Sequence, residues 1–193
     1  LSADNLTCTN QSTSDPDGDE VQNIFNWYKD GTQQLLLNAP FANNTNSTDA
    51  SQILDYSTFK NHGQAYANTF WNSTGVIGGS HTFDGTGDYI SFGSDASLDF
   101  SGDDFTAEVW VKLETNNNDY QGILTKQTST NGFGLTTDNL GKLALLTWSG
   151  GAGSIQSQML FKIQVSGIIL SDFDEMELVI FILMVLSKMT LMR

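Results

Sequence analysis

Three groups of acidic residues are spaced for chemistry. In Asp15-Pro-Asp-Gly-Asp19 the carboxyls of Asp15, Asp17 and Asp19 fall at alternate positions around a glycine, so a tight turn could converge their oxygens on a hard cation such as Ca²⁺. The bidentate Glu that completes an EF-hand loop is missing, and the same run serves equally as a polar hairpin turn. Asp84 and Asp88 bracket Gly85 and Gly87, an arrangement open to cation ligation or to Asx-turns that fold the chain back. Asp172-Phe-Asp-Glu-Met-Glu177 sets acids at alternate positions, which on a strand aims them into one cleft. Neither His62 nor His81 has a Cys or Ser nucleophile pattern beside it, so triad chemistry finds no support.

Strands must position these groups. The segments His81–Phe92 and Asp104–Leu113 alternate apolar and polar residues as half-buried strands do. In the first, Phe83, Tyr89 and Ile90 supply the inward set around an Asp-Gly-Thr-Gly turn. In the second, Phe105, Ala107, Val109 and Val111 alternate with Thr106, Glu108, Trp110 and Lys112, which puts Trp110 on the other sheet face. Gly122–Lys126, Gly132–Leu135 and Lys142–Trp148 read as three more strands separated by polar turns.

The order F-D-G-x-x-D-Y-I, a small-residue loop from Gly93 to Ser97, L-D-F, then F-T-x-E-V-W-V-K resembles the laminin-G-like, concanavalin-A-like jelly-roll family. Upstream, Leu35–Phe41 resembles the family's first strand, Asp55-Tyr-Ser-Thr-Phe-Lys-Asn-His-Gly63 its usual turn, and Trp71 with Gly75–Ser80 the approach to Phe83. The resemblance runs from Gln34 to Trp148 and implies an all-β sandwich of two antiparallel sheets, incomplete as written, over residues 34–155. It also implies that Asp55 joins Asp84 and Asp88 at one rim, where relatives hold a structural Ca²⁺.

Beyond Trp148 the composition changes. Met159, Met176, Met184, Met189 and Met192 all lie after residue 158, whereas all 16 Asn, four Trp and five Tyr lie before it. The apolar run Met176–Leu186 contains a Glu and, at eleven residues, falls well short of the roughly 20 that span a bilayer, which leaves a buried strand or helix open. A reading frame displaced by one base explains more. Methionine has one codon, so Met176-Glu177 and Met184-Val185 re-read as Gly, and Met189-Thr190 as Asp. With permitted codons, Val165 to Arg193 becomes K-W-H-H-F-V-R-F-R-R-D-G-T-S-Y-I-Y-I-N-G-V-I-K-N-D-A-N-A, the continuation that the family pattern lacks here. Residues 156–193 are therefore expected to be an out-of-frame tail entered between Gly150 and Gln158, without selected function; the chain as written then loses strand partners and is expected to be unstable.

Residues 1–155 carry 18 Asp and Glu against five Lys and no Arg, which argues against nucleic-acid binding, since phosphate neutralisation needs a basic patch. The acidity suits a solvated surface or divalent cations. Residues 1–33 resemble part of an immunoglobulin-like surface repeat, with Cys8 on strand B and Trp27 on strand C. Cys8 is the single cysteine, so its partner would lie upstream or in another chain, or else it is a buried free thiol or an unpaired relic. The chain starts without Met and reads as a piece of a longer polypeptide with neighbouring domains.

The resemblance implies a non-catalytic, lectin-like or adhesin-like module of a secreted or cell-surface protein that binds glycan or another extracellular protein. Trp71, Trp110, Tyr120 and Trp148 are the aromatic candidates for stacking on sugar faces. Sequons at Asn5, Asn10, Asn43, Asn46 and Asn72 agree with an extracellular site, although a chain this rich in Ser and Thr produces several by chance. The alternatives are a structural spacer and a laminarinase-type glucanase, whose strand-borne acids flank the scissile bond. Only Asp172–Glu177 approximates that acid pattern, with Asp in the first acid's place and inside the suspect tail.

Overall fold

The fold is visible in a computed structural model that describes residues 7–18, 21–42, 52–76, 79–99, 106–112, 121–127, 131–137, 143–149, 152–155 and 182–185. Fourteen short strands are formed among them: β1 (Tyr28–Lys29), β2 (Thr32–Gln33), β3 (Leu35–Ala39), β4 (Gln52–Ile53), β5 (Gly63–Tyr66), β6 (Phe70–Asn72), β7 (Ser80–Thr82), β8 (Tyr89–Ser91), β9 (Thr106–Glu108), β10 (Gly122–Gln127), β11 (Gly132–Thr137), β12 (Leu143–Ser149), β13 (Ala152–Ile155) and β14 (Ile182–Val185). The single helical element is a 3₁₀ turn at Ala96–Leu98, capped by Asp95, whose carboxyl accepts the Ser97 N–H at 2.9 Å.

Every strand pairing is antiparallel, in the orders β1-β2, β10-β11-β12-β13, β3-β14-β9, β4-β5-β8 and β6-β7. Asp30 and Gly31, at φ 50° and 79°, turn the chain between β1 and β2 as an Asp-Gly hairpin turn requires. The β3 run Leu-Leu-Leu-Asn-Ala is buried throughout, as expected of a short apolar run with both faces covered. Around it pack Phe41, Ile53, Leu98, Val109, Val111, Ile123, Phe133 and Leu135, with Phe83, Ile90 and Phe92 half-buried at the margin. This is an all-β fold of several small antiparallel sheets.

The strands read at 122–126, 132–135 and 142–148 form as β10, β11 and β12, and Val109 and Val111 are buried on either side of half-buried Trp110. Tyr89 corrects the reading of the inward set. It and Ile90 are neighbours on β8, so their side chains leave opposite faces; Ile90 packs on the core and Tyr89 is 52% exposed. Phe105 lies outside the described residues.

At the N-terminal side, Cys8 sits in a stretch without strand structure and is exposed, so the buried-thiol reading is corrected and no strand B forms at Cys8. Asn38 Nδ2 donates to Phe25 O and to Asn26 Oδ1, each at 3.0 Å, and Asn26 Nδ2 donates to Tyr56 O at 2.9 Å. These bonds tie the segment before β1 to the sandwich.

One glycine fixes the β10-β11 hairpin. A Cβ on Gly132 would stand 2.2 Å from Lys126 O and 2.7 Å from Gln127 Cα. Both are backbone atoms that cannot step aside. Gly132→Ala is expected to destabilise the protein by about 1–3 kcal/mol, read as a lower urea midpoint.

Candidate functional site

Asp55 is 1% exposed and organises the turn after β4. Its Oδ1 accepts the N–H of Asn38 at 2.9 Å and of Ser57 at 2.8 Å, while Oδ2 accepts the N–H of Asn61 at 2.8 Å and lies 2.7 Å from Ser57 Oγ. Tyr56 N–H returns to Asn38 O at 2.8 Å, so the turn covers the edge of β3 that β14 does not. The Asn61 amide reaches Ser97 Oγ at 2.9 Å and pins the 3₁₀ turn to the same knot. With four donors on two oxygens, Asp55 holds the scaffold together rather than offering ligand atoms.

Asp84 and Asp88 do come together, at the β7-β8 turn. Asp84 Oδ1 accepts the Thr86 N–H at 2.7 Å, an Asx-turn, and Asp88 Oδ2 accepts the Asp84 N–H at 2.7 Å. The loop after β5 is clasped to them: Asn68 N–H donates to Asp88 Oδ1 at 2.7 Å and Asn68 Nδ2 to Asp84 Oδ2 at 3.2 Å. The Thr86 N–H, then the Asn68 amide, hold the exposed Asp84 carboxyl below the usual carboxylate range.

Among the described residues no three His, Cys, Asp or Glu side chains converge as a metal site would require. Asp55, Asp84 and Asp88 are not brought together as one set among the described residues: Asp55 is hydrogen-bonded within its own turn, and the other two clasp a loop. Asp15 accepts the Asp17 N–H at 2.8 Å on Oδ1 and the Gly18 N–H at 3.2 Å on its carbonyl, a polar turn; Asp19 lies outside the described residues.

Beside the clasp, Tyr66 at the end of β5 pairs with Tyr89 at the start of β8. Their rings stack with centroids 4.6 Å apart and an interplanar angle of 12°, and the side chains remain 43% and 52% exposed. Thr69 Oγ1 donates to Tyr66 O at 2.7 Å, folding the loop back over the strand end. Neither tyrosine is among the aromatics expected from the sequence. The signal was present: in Gly63-Gln-Ala-Tyr66, Ala65 faces the core, so Tyr66 must face away.

The expected aromatics fare differently. Trp71 is half-buried, donates its indole N–H to Phe41 O at 2.9 Å, and lies so close to Gly79 that a Cβ there would meet Nε1 at 2.2 Å. It is a packing residue. Trp148 pairs through its backbone with Gly132 and Gly153, and Tyr120 is outside the described residues, as is the acid run 172–177.

Trp71 also faces His81 across β6-β7, and with Phe41, Ile53 and Tyr56 they line a cavity of about 10 Å³, room for about one water. His81 is 5% exposed, its ring meets Phe41 edge-on at 4.9 Å, and its Nδ1 has no hydrogen-bond partner. Burial pushes its pKa down from 6.5 to about 4. The unfolded chain therefore binds the proton more tightly, and stability is lost as the pH falls from about 6.5 towards 4. The expected loss is about 3 kcal/mol, and His81→Leu should flatten that part of the pH profile in urea titrations at pH 7 and pH 4.5.

Short antiparallel strands joined by hydrogen-bonded turns define the class: an all-β protein. Residues 84–165 match the family model Laminin_G_3, described as the concanavalin A-like lectin/glucanases superfamily, so this segment is similar to laminin-G-like, concanavalin A-like domains. The match begins at the Asp84 turn and ends beyond Trp148, later at both ends than the motif order alone suggests. No curated protein and no solved structure matches the chain. No helix among the described residues is long and apolar enough to cross a membrane.

Proposed function

We propose that this chain is a non-catalytic binding module of a secreted or cell-surface protein, recognising glycan or an extracellular protein partner. The match over residues 84–165 to a superfamily of lectins and glucanases carries the reading. Supporting it, Asp84 and Asp88 serve as a loop clasp and Asp15 holds a polar turn, whereas a glycosidase commits two carboxyls about 5–9.5 Å apart to one sugar.

A glycan array probed with the purified 193-residue chain tests binding, and a reducing-sugar assay on the glycans that bind tests cleavage. Retention of at least one glycan class without sugar release is the expected result. Release of reducing ends that a Glu177→Gln substitution abolishes would establish the hydrolase instead.

A further inference from the structure

The stacked pair Tyr66–Tyr89 stands out from the rest of the exposed aromatics because the hydrogen bonds among Asn68, Asp84 and Asp88 join the loop ends of the two strands that carry it. We infer that this corner, with Asn68, Asp84 and Asp88 beside it, is a subsite for a pyranose ring of a neutral glycan. The inference rests on the glycan branch of the binding reading and supplies its place and ligand class.

In the stack each tyrosine gives one ring face to its partner and keeps the other, and roughly half of each side chain is open to solvent. Such a face suits the C–H side of a pyranose. The pairing also holds the rings in register from two adjacent strands, so they are presented with little rotamer freedom left to lose on binding.

The polar side of the corner fits the same ligand. Each carboxyl oxygen of Asp84 and Asp88 accepts one hydrogen bond within the clasp, and an ionised carboxyl offers about four acceptor positions. The remaining lone pairs can take sugar hydroxyls as donors. Asp84 is exposed and its carboxyl is stabilised in the charged form, in a chain of net charge −14. Sulfated and uronic-acid polymers are repelled by that field, and neutral hexoses are not.

Isothermal titration of the full chain with cellohexaose and maltohexaose, with heparin as the anionic comparison, tests the assignment. The expected result is binding of a neutral hexaose, no heparin binding, loss of roughly tenfold in affinity in Tyr89→Ala, and near-native affinity in Tyr89→Phe. Thermal melts accompany both variants, and titration-induced shifts of the Tyr66 and Tyr89 ring protons in the unsubstituted protein give a readout that does not depend on either variant folding. Binding of a hexaose that leaves those ring signals and the Tyr89→Ala affinity unchanged would overturn the subsite while leaving the binding reading intact. Binding of heparin alone would overturn the neutral-glycan assignment. Silence towards both hexaoses overturns the subsite, and silence across the whole glycan array as well would remove the glycan reading beneath it.

Discussion

Asp55→Ala is expected to cost about 3–5 kcal/mol and, in a domain of this size, to abolish cooperative folding near body temperature. The substitution removes one carboxyl and strands three backbone N–H groups, those of Asn38, Ser57 and Asn61, in a place where water cannot replace it. It also removes the shorter of the Ser57 hydroxyl's contacts, leaving that group with Leu36 O at 3.2 Å. Asp55→Asn tests the cause: the size is kept, but an amide turns a donor towards N–H groups that need acceptors, so only part of the stability returns. A metal role would behave otherwise, because both variants would then differ from the parent only when Ca²⁺ is present. Thermal melts of the three proteins with Ca²⁺ and with chelator separate the two, and equal losses in both buffers are the expected outcome.

The comparison with Tyr89 shows which features of this chain are legible from its sequence. Gly122–Gln127 and Gly132–Thr137 could be found because their strands are long enough for alternation to register and are set off by polar turns. β8 is only three residues long, so alternation there had too few positions to assign a face, and the aromatic character of Tyr89 suggested the core. The structure places it outward because Ile90 takes the inward position. Asp55 illustrates a different limit: its partners Asn38 and Asn61 come from either side, one of them 17 residues back, and no local pattern reports that. The immunoglobulin-like reading of Cys8 and Trp27 relied on two residue types and one spacing. Exposed Cys8 lies in no strand, while the Asp-Gly turn after Trp27 makes a small hairpin hydrogen-bonded to the sandwich through Gln33 and Asn26.

Returning the tail to the alternative frame is expected to raise the melting temperature and the soluble yield together. In the structure β14, inside the apolar run 176–186, lies between β3 and β9, so the fold as written does recruit a strand from beyond residue 155. Its register sets Leu183 in line with Asn38 on one side and Glu108 on the other, and Met184 between Leu37 and Ala107. Ile-Leu-Met-Val is apolar at every position, without the alternation of a strand that has one polar row. The re-read segment Y-I-Y-I-N-G-V alternates instead: Tyr, Tyr and Asn share one face, and the two Ile share the other. That pattern satisfies a central strand with one core face and one polar face, and it also supplies the W-H-H-F strand before it. Sequencing of the coding DNA across codons 145–193 is expected to show one base gained or lost between codons 150 and 158. The re-framed protein should then melt in one cooperative transition several degrees above the 193-residue chain, since about 1 kcal/mol moves Tm by roughly 2–4 °C at this length. Equal or higher stability of the chain as written would show that β14 is the native strand, and Met184→Pro would then unfold it by breaking the ladder on both sides.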